Sequence, residues 1–257
     1  MTTYDRPKPA GMPTWTDLIT PEIDAARAFY QAVFHWEYDI SGPEFGGYTN
    51  ARIGSGITAG LSGPPEGAPP VPASWSLYFA SADLEADVAK AVELGATVIA
   101  PPMEVGTFGG WAICSDPTGG VFGLWKSKDH IGFTLSDELG ATTWYELYSP
   151  NAQQARDFYA ALLGAEAEPL PGDLEYYALK HGETQMAGIM QIDPAWGNMP
   201  AHWVMYFMVA NADATVATVT EHGGKIMGNI DDSPFGRIAA LSDPQGAIFK
   251  ILEPPAR

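Results

Sequence analysis

The sequence has one cysteine, few basic residues and no long apolar run, and each shortage removes a class of explanation. Cys114 alone cannot form an internal disulfide, and it falls in a strand pattern where a buried thiol is expected rather than a nucleophile. Thirteen Lys and Arg stand against 31 Asp and Glu, giving a net charge of −18. Those few basic residues are scattered, which argues against nucleic acid and against an anionic membrane surface. No run of about 18 apolar residues is present, and no basic start followed by an apolar stretch reads as a signal peptide. A cytoplasmic location is the expectation. The G-x-S-x-G elbow, the phosphate loop and the dinucleotide fingerprint are missing too, and the glycine-rich stretch at 106–110 (GTFGG) lacks the helix that a phosphate site needs. With 46% apolar and 17% charged residues, the chain still has the composition of a folded globular protein.

What the chain does have is a repeat. Trp15 aligns with Trp144, Phe29-Tyr30 with Phe158-Tyr159, Phe108-Gly109 with Phe235-Gly236, and Ser115-Asp116-Pro117 with Ser242-Asp243-Pro244, at offsets of 129, 129, 127 and 127. A nearly constant offset marks a tandem duplication of units near the common domain size. Within each unit the periodicity switches repeatedly. Thr14 to Thr20 alternates as a half-buried strand, Pro21 opens a helix with Ala25, Phe29, Ala32 and Val33 at helical spacing, and short strands follow. After the proline-rich connection at 64–72 the pattern restarts: a strand from Trp75, a helix from Asp83 to Leu94, and three more strands. Each unit therefore reads as two βαβββ modules, an α+β architecture. The expected organisation is a tail over 1–13, a first domain over 14–127, a linker over 128–140 and a second domain over 141–255.

Paired βαβββ modules carrying Phe29-Tyr30 and Phe34-His35-Trp36, then Gly95-Ala96-Thr97-Val98, then Ser115-Asp116-Pro117-Thr118-Gly119, resemble the vicinal oxygen chelate superfamily of glyoxalases, bleomycin-resistance proteins and extradiol dioxygenases. The likeness runs from Trp15 to Glu253. It is strongest to two-domain glyoxalase-like proteins frequent in actinobacteria, in which a tryptophan opens the first strand and a stretch such as Gly236-Arg237-Ile238 precedes the Asp-Pro turn. The resemblance implies tandem domains, each with a curved mixed sheet forming a cup, four modules in all. It also implies a divalent metal held by His, Gln or Glu at four strand positions per cup. On this chain those positions hold Trp15, Gly60, Ser76 and Gly123 in the first domain and Trp144, Gly188, Val204 and Lys250 in the second. None is a competent ligand, so no cofactor is expected. A metal started by Glu146 and His202 is the minority alternative, and His202 reads first as a hydrogen-bonded strand residue after the Pro200 turn.

If the family's geometry holds, strand alternation turns Trp15 with Asp17, Tyr78, Trp144 with Glu146, and Tyr206 into the cups, with Met186 or Met190 beside them. Such a lining suits a flat apolar or aromatic molecule, with the carboxylate orienting a polar substituent or a cation. His202, Arg237 and Lys250 occur in one copy only, all in the second domain, and make its cup the favoured site; Lys250 or Arg237 is the natural partner of Glu146. The catalytic candidates are Glu146, His202 and Asp17. Three readings compete. The first is a metal-free small-molecule binder acting in sequestration or resistance. The second is an enzyme on the same fold, of lyase, isomerase or dioxygenase type. The third is a structural or interaction protein with filled cups. A monomer is expected, its four modules standing for the two chains of a single-domain dimer, with module pairing within or between domains left open.

Overall fold

The computed structural model describes residues 2–64, 67, 71–172 and 174–255, so most of the proline-rich connection read at 64–72 lies outside the described residues. The first half runs β1 (Thr2–Thr3), β2 (Pro13–Ile19), α1 (Ile23–Phe34), β3 (Glu37–Ile40), β4 (Thr49–Ile53), β5 (Gly56–Ser62), β6 (Ser74–Ala80), α2 (Leu84–Glu93), β7 (Thr97–Val105), β8 (Gly109–Ser115) and β9 (Val121–Ser127). After β10 (Leu135–Ser136) the second half repeats it: β11 (Thr142–Ser149), α3 (Ala152–Leu163), β12 (Glu166–Leu170), β13 (Tyr176–His181), β14 (Thr184–Gln191), β15 (His202–Met208), α4 (Ala212–Glu221), β16 (Lys225–Ser233), β17 (Gly236–Ser242) and β18 (Ile248–Glu253).

Each half forms one eight-stranded mixed sheet, in the orders β3-β4-β5-β2-β6-β9-β8-β7 and β12-β13-β14-β11-β15-β18-β17-β16. Modules therefore pair within a domain. At the centre of each sheet the opening strand lies parallel to the last strand of its own module and antiparallel to the first strand of the next, as in the Asp17↔Gly60 and Asp17↔Ser76 pairs. Helix starts follow from the sequence: Asp83, Asn151 and Asn211 each accept a hydrogen bond from the third residue beyond them, satisfying a backbone N–H that would otherwise be orphaned. The opening segment, read as a polar tail, is anchored. Thr2–Thr3 pairs antiparallel with Leu135–Ser136, and the Tyr4 N–H donates to the Thr134 carbonyl, so the start of the chain and the linker hold each other.

The helices are shared between the halves. Phe29 and Phe34 of α1 meet Phe249 and Phe207 of the second sheet, while Phe158 and Tyr159 of α3 meet Phe122 and Phe79 of the first. One continuous apolar core results. Two reciprocal polar contacts sit inside it: Tyr30 donates to Asp243 at 3.2 Å and accepts from Trp75 Nε1 at 3.0 Å, and Tyr159 donates to Asp116 at 2.9 Å and accepts from Trp203 Nε1 at 3.0 Å. The same aspartates cap the Asp-Pro turns through backbone N–H groups. The turn sequence that marks each half is thus also its lock on the other half. Tyr30→Phe should cost about 1–3 kcal/mol in chemical denaturation, because it strands both the Trp75 indole N–H and one Asp243 oxygen away from water.

Candidate functional site

On the sheet face opposite Leu18 and Leu147, each half carries a tryptophan, two tyrosines and a carboxylate in the same arrangement. In the second cup Trp144 Nε1 donates to Tyr176 at 3.2 Å and Tyr206 donates to Glu146 Oε2 at 2.6 Å. In the first, Trp15 Nε1 donates to Tyr48 at 2.8 Å, and Tyr48 and Tyr78 donate to Asp17 Oδ2 at 3.3 and 3.4 Å. Tyr48 and Tyr176, absent from the residues singled out by sequence, complete the pattern. Their signal is the glycine each lies over: a Cβ on Gly60 would sit 2.0 Å from the Tyr48 hydroxyl, and one on Gly188 would sit 1.9 Å from that of Tyr176. A position that the resemblance gives to a metal ligand is thus emptied to seat a phenol. Gly188→Ala should displace Tyr176 and lower stability by about 1–3 kcal/mol, as measured by urea unfolding.

The cups differ where sequence gives Gly123 in one and Lys250 in the other. The ring of Tyr78 leans over Gly123, 2.1 Å from where its Cβ would be. Lys250 occupies the matching place in the second cup. Its ammonium donates to Tyr206 at 2.8 Å, to Glu146 at 3.4 Å and to Tyr148. Glu146 is buried, with only 5% of its side chain exposed, so this is an ion pair out of water, held by three hydroxyl-bearing neighbours. Burial, with the Glu146 charge next in size, pushes the Tyr148 and Tyr206 hydroxyls well above the usual phenol range, so both remain donors. Beside the ion pair lies an apolar patch separate from the shared core: Tyr148, Ile192 and Val204, with Met190 against them. His202 stacks on Tyr148 at 5.3 Å with an interplanar angle of 11°, and the largely exposed Trp196 approaches the same ring at 6.2 Å.

In the first cup no lysine or arginine reaches Asp17 among the described residues. Burial pushes its carboxyl up to about 7, against the opposing pull of the Tyr78 and Tyr48 hydrogen bonds. The sheet curls far enough that loops at its opposite edges touch, Phe45 meeting Phe108 at 5.3 Å.

Two residues expected in or beside the cups sit otherwise. Met186 lies buried in the main apolar cluster at a register shift between the Leu179↔Ala187 and Lys180↔Gln185 pairs, which breaks the alternation there; Met190 packs with the patch beside the ion pair. Arg237 does not reach Glu146. It pairs with Asp213 at 2.5 Å and with Glu253 and Asp232 at 3.5 Å, joining α4 to β17 and β18. His202 lies at the cup's edge, its Nδ1 2.8 Å from the Pro200 carbonyl oxygen and opposite Tyr148 rather than Glu146. The residues present do not fit a divalent ion: among the described residues no three His, Cys, Asp or Glu side chains converge, and the ammonium of Lys250 holds the centre of the second cup. A groove of about 420 Å³ elsewhere, bordered by Leu94, Pro117, Asn151 and Phe158, lies outside both cups.

The description "Glyoxalase-like domain" matches residues 15–125, and "Glyoxalase/Bleomycin resistance protein/Dioxygenase superfamily" matches 129–251. The chain is 38% identical over 253 residues to the Mycobacterium tuberculosis (strain CDC 1551 / Oshkosh) protein named "Putative glyoxylase CFP32", covering 95% of each. It is 33% identical over 257 residues to the Streptomyces peucetius protein "Anthracycline biosynthesis protein DnrV", covering 95% of this chain and 93% of that one. Among solved structures, the Mn(II)-bound glyoxalase from Novosphingobium aromaticivorans superposes with a TM-score of 0.67 at 15% identity, over 96% of this chain and 83% of that one. The 2,3-dioxygenase LapB from Pseudomonas sp. KL28 superposes with a TM-score of 0.64 at 15% identity, over 98% and 93%. At such identities the likeness is one of fold.

Proposed function

We propose, for a chain that belongs to the glyoxalase/bleomycin resistance protein/dioxygenase superfamily, that the second cup binds a flat, oxygenated aromatic molecule without a metal. The observation that carries this reading is the buried Lys250–Glu146 pair, ringed by Tyr148, Tyr176 and Tyr206 and bordered by an apolar patch apart from the core. An aromatic face would lie against Val204, Met190 and Trp196, and a phenolic or quinone oxygen would take over the Lys250 hydrogen bond now given to Tyr148. An ammonium supplies positive charge where relatives with a metal use an ion, so the ligand's oxygens are recognised electrostatically without coordination. The similarity to a protein named for anthracycline biosynthesis favours polycyclic aromatics as the class.

Sequestration or carriage of such a molecule is the simplest activity of the site. Catalysis is the second reading. It is favoured by the Glu146–Tyr206–Lys250 chain, whose contacts of 2.6 and 2.8 Å would let a proton move towards or away from a bound oxygen. The continuous core joining the halves supports action as a monomer.

Titration of the purified, chelator-treated protein with 1,4-dihydroxyanthraquinone, followed by tryptophan fluorescence, tests the reading. Quenching by Trp144 and Trp196 is expected, with Glu146→Gln weakening binding by about 1–3 kcal/mol if the carboxylate orients the charged donor. No saturable quenching would reject it. Binding restored only by added Mn²⁺ or Fe²⁺ would replace it with a metal-dependent site.

A further inference from the structure

The first cup holds polar groups that its own side chains leave unmet. Asn50 lies on β4, one strand beyond Gly60 from Asp17 and on the same face as Tyr48, and its Oδ1 is shut off from solvent without a hydrogen-bond partner. His130, from the linker, fits edge-on against Trp15 at 4.5 Å and near Trp125 at 5.5 Å. Its Nδ1 accepts from the Gly132 N–H, which leaves the ring proton on Nε2, and Nε2 is also buried without a partner. Asp17 has hydroxyl donors but no cation among the described residues. In the second cup, by contrast, the carboxylate has a resident cation: Lys250 bonds Glu146, Tyr148 and Tyr206 together. Native proteins rarely leave several buried polar atoms unpaired on one face, and where they do a ligand or water is the usual partner.

We propose that the first cup is a second ligand site, taking a small organic ammonium ion whose N–H groups bond Asp17 and Asn50 between indole walls. The walls are the cross-strand pair Trp111 and Trp125, which share the cup face with Tyr78 through the Tyr78↔Gly123 and Trp111↔Trp125 registers, and Trp15, buried against His130 and Phe133, backs the site. Indole faces attract a cation, and Gly123 in place of a lysine leaves no ammonium beside Asp17 to oppose it, while Arg52, on the face of Asn50, is paired with Glu37 and Asp39. Burial holds the His130 imidazole down at about 4, so it too is neutral near pH 7 and offers its Nε2–H to an oxygen on the same ligand. The groups facing Asp17 are Tyr48 from β4, Tyr78 from β6 and Trp15 from its own strand, none of them cationic. The ligand therefore has to bring the compensating charge. This site is independent of the aromatic site in the second cup and carries the opposite preference for charge.

The test uses the full chain and benzylammonium as the probe, with benzyl alcohol as its uncharged counterpart, followed by the indole ¹H–¹⁵N signals. Benzylammonium should shift the Trp15, Trp111 and Trp125 signals and leave Trp144 and Trp196 in place, binding at least tenfold more tightly than benzyl alcohol. Affinity should rise about tenfold from pH 6 to pH 8 as Asp17 ionises. Asp17→Asn should weaken binding at least tenfold and Asn50→Ala several-fold, with Glu146→Gln within twofold of wild type. If Asp17→Asn loses the folded spectrum, Asn50→Ala and the alcohol comparison decide. Equal binding of alcohol and ammonium, shifts confined to Trp144 and Trp196, or unchanged affinity in Asn50→Ala would overturn the proposal.

Discussion

Lys250→Met should destabilise the protein by about 3–5 kcal/mol, the largest loss expected from any single change in either cup. The reason is the company Lys250 keeps. Glu146 has 5% of its side chain exposed and Lys250 16%, so removing the ammonium leaves a carboxylate in a dry site with only tyrosine hydroxyls around it. A buried ion pair adds little net stability over a well-packed apolar pair, yet breaking it from one side exposes the full desolvation cost of the survivor. The double change Lys250→Met with Glu146→Gln should therefore recover most of the loss, and a double-mutant cycle in urea gives the coupling directly. If the single and double variants are equally destabilised, the pair is not coupled as drawn.

Asp17→Asn should stabilise the protein at pH 8 by about 2–4 kcal/mol and do little at pH 4. The sign follows from burial. The folded carboxyl holds its proton up to about 7, whereas the unfolded chain releases it near the ordinary value of 3.8. Between those values the folded state binds the extra proton, so rising pH removes stability at up to about 1.4 kcal/mol per unit, and the loss is complete above 7. An asparagine keeps an acceptor for Tyr48 and Tyr78 and carries no charge to desolvate. Stability against pH from 4 to 8 should therefore flatten in Asp17→Asn relative to wild type. Parallel curves would mean that Asp17 is better solvated than its surroundings indicate. Glu146 is the instructive contrast: the same position in the repeat, but with Lys250 in place of Gly123 beside its tyrosine.

The fold was legible because duplication and strand alternation are local signals, repeated in register. Trp15, Asp17, Tyr78, Trp144, Glu146 and Tyr206 lie on one face because each central strand alternates without interruption across them. Met186 is the harder position to read: a register shift interrupts alternation at that residue, and its counterpart Thr58 sits at the same shift in the first domain, between Ala51↔Ala59 and Arg52↔Ile57. Lys250 and Arg237 could not be told apart as partners for Glu146, since they flank the duplicated Asp243-Pro244 turn in neighbouring strands. Only the sheet order, with β18 beside β15 and β17 one strand further out, decides for Lys250. Tyr48 and Tyr176 were hidden because their role depends on Gly60 and Gly188, two residues that read as gaps in a ligand set rather than as seats for a ring. The anchoring of the opening residues on Leu135–Ser136 joins segments over 130 residues apart and leaves no local trace.

The central claim is that charge supplied by the protein, not a metal, makes the second cup a recognition site. The most direct measurement compares binding of 1,4-dihydroxyanthraquinone to metal-stripped wild type and to the metal-stripped Lys250→Met, Glu146→Gln double variant, whose fold should survive because both charges leave together. Wild type should bind without added metal, and the double variant at least tenfold more weakly while melting within a few degrees of wild type, as expected for a stability change near or below about 1 kcal/mol. Undiminished affinity in the double variant, or wild-type binding only after a divalent ion is returned, would contradict the account.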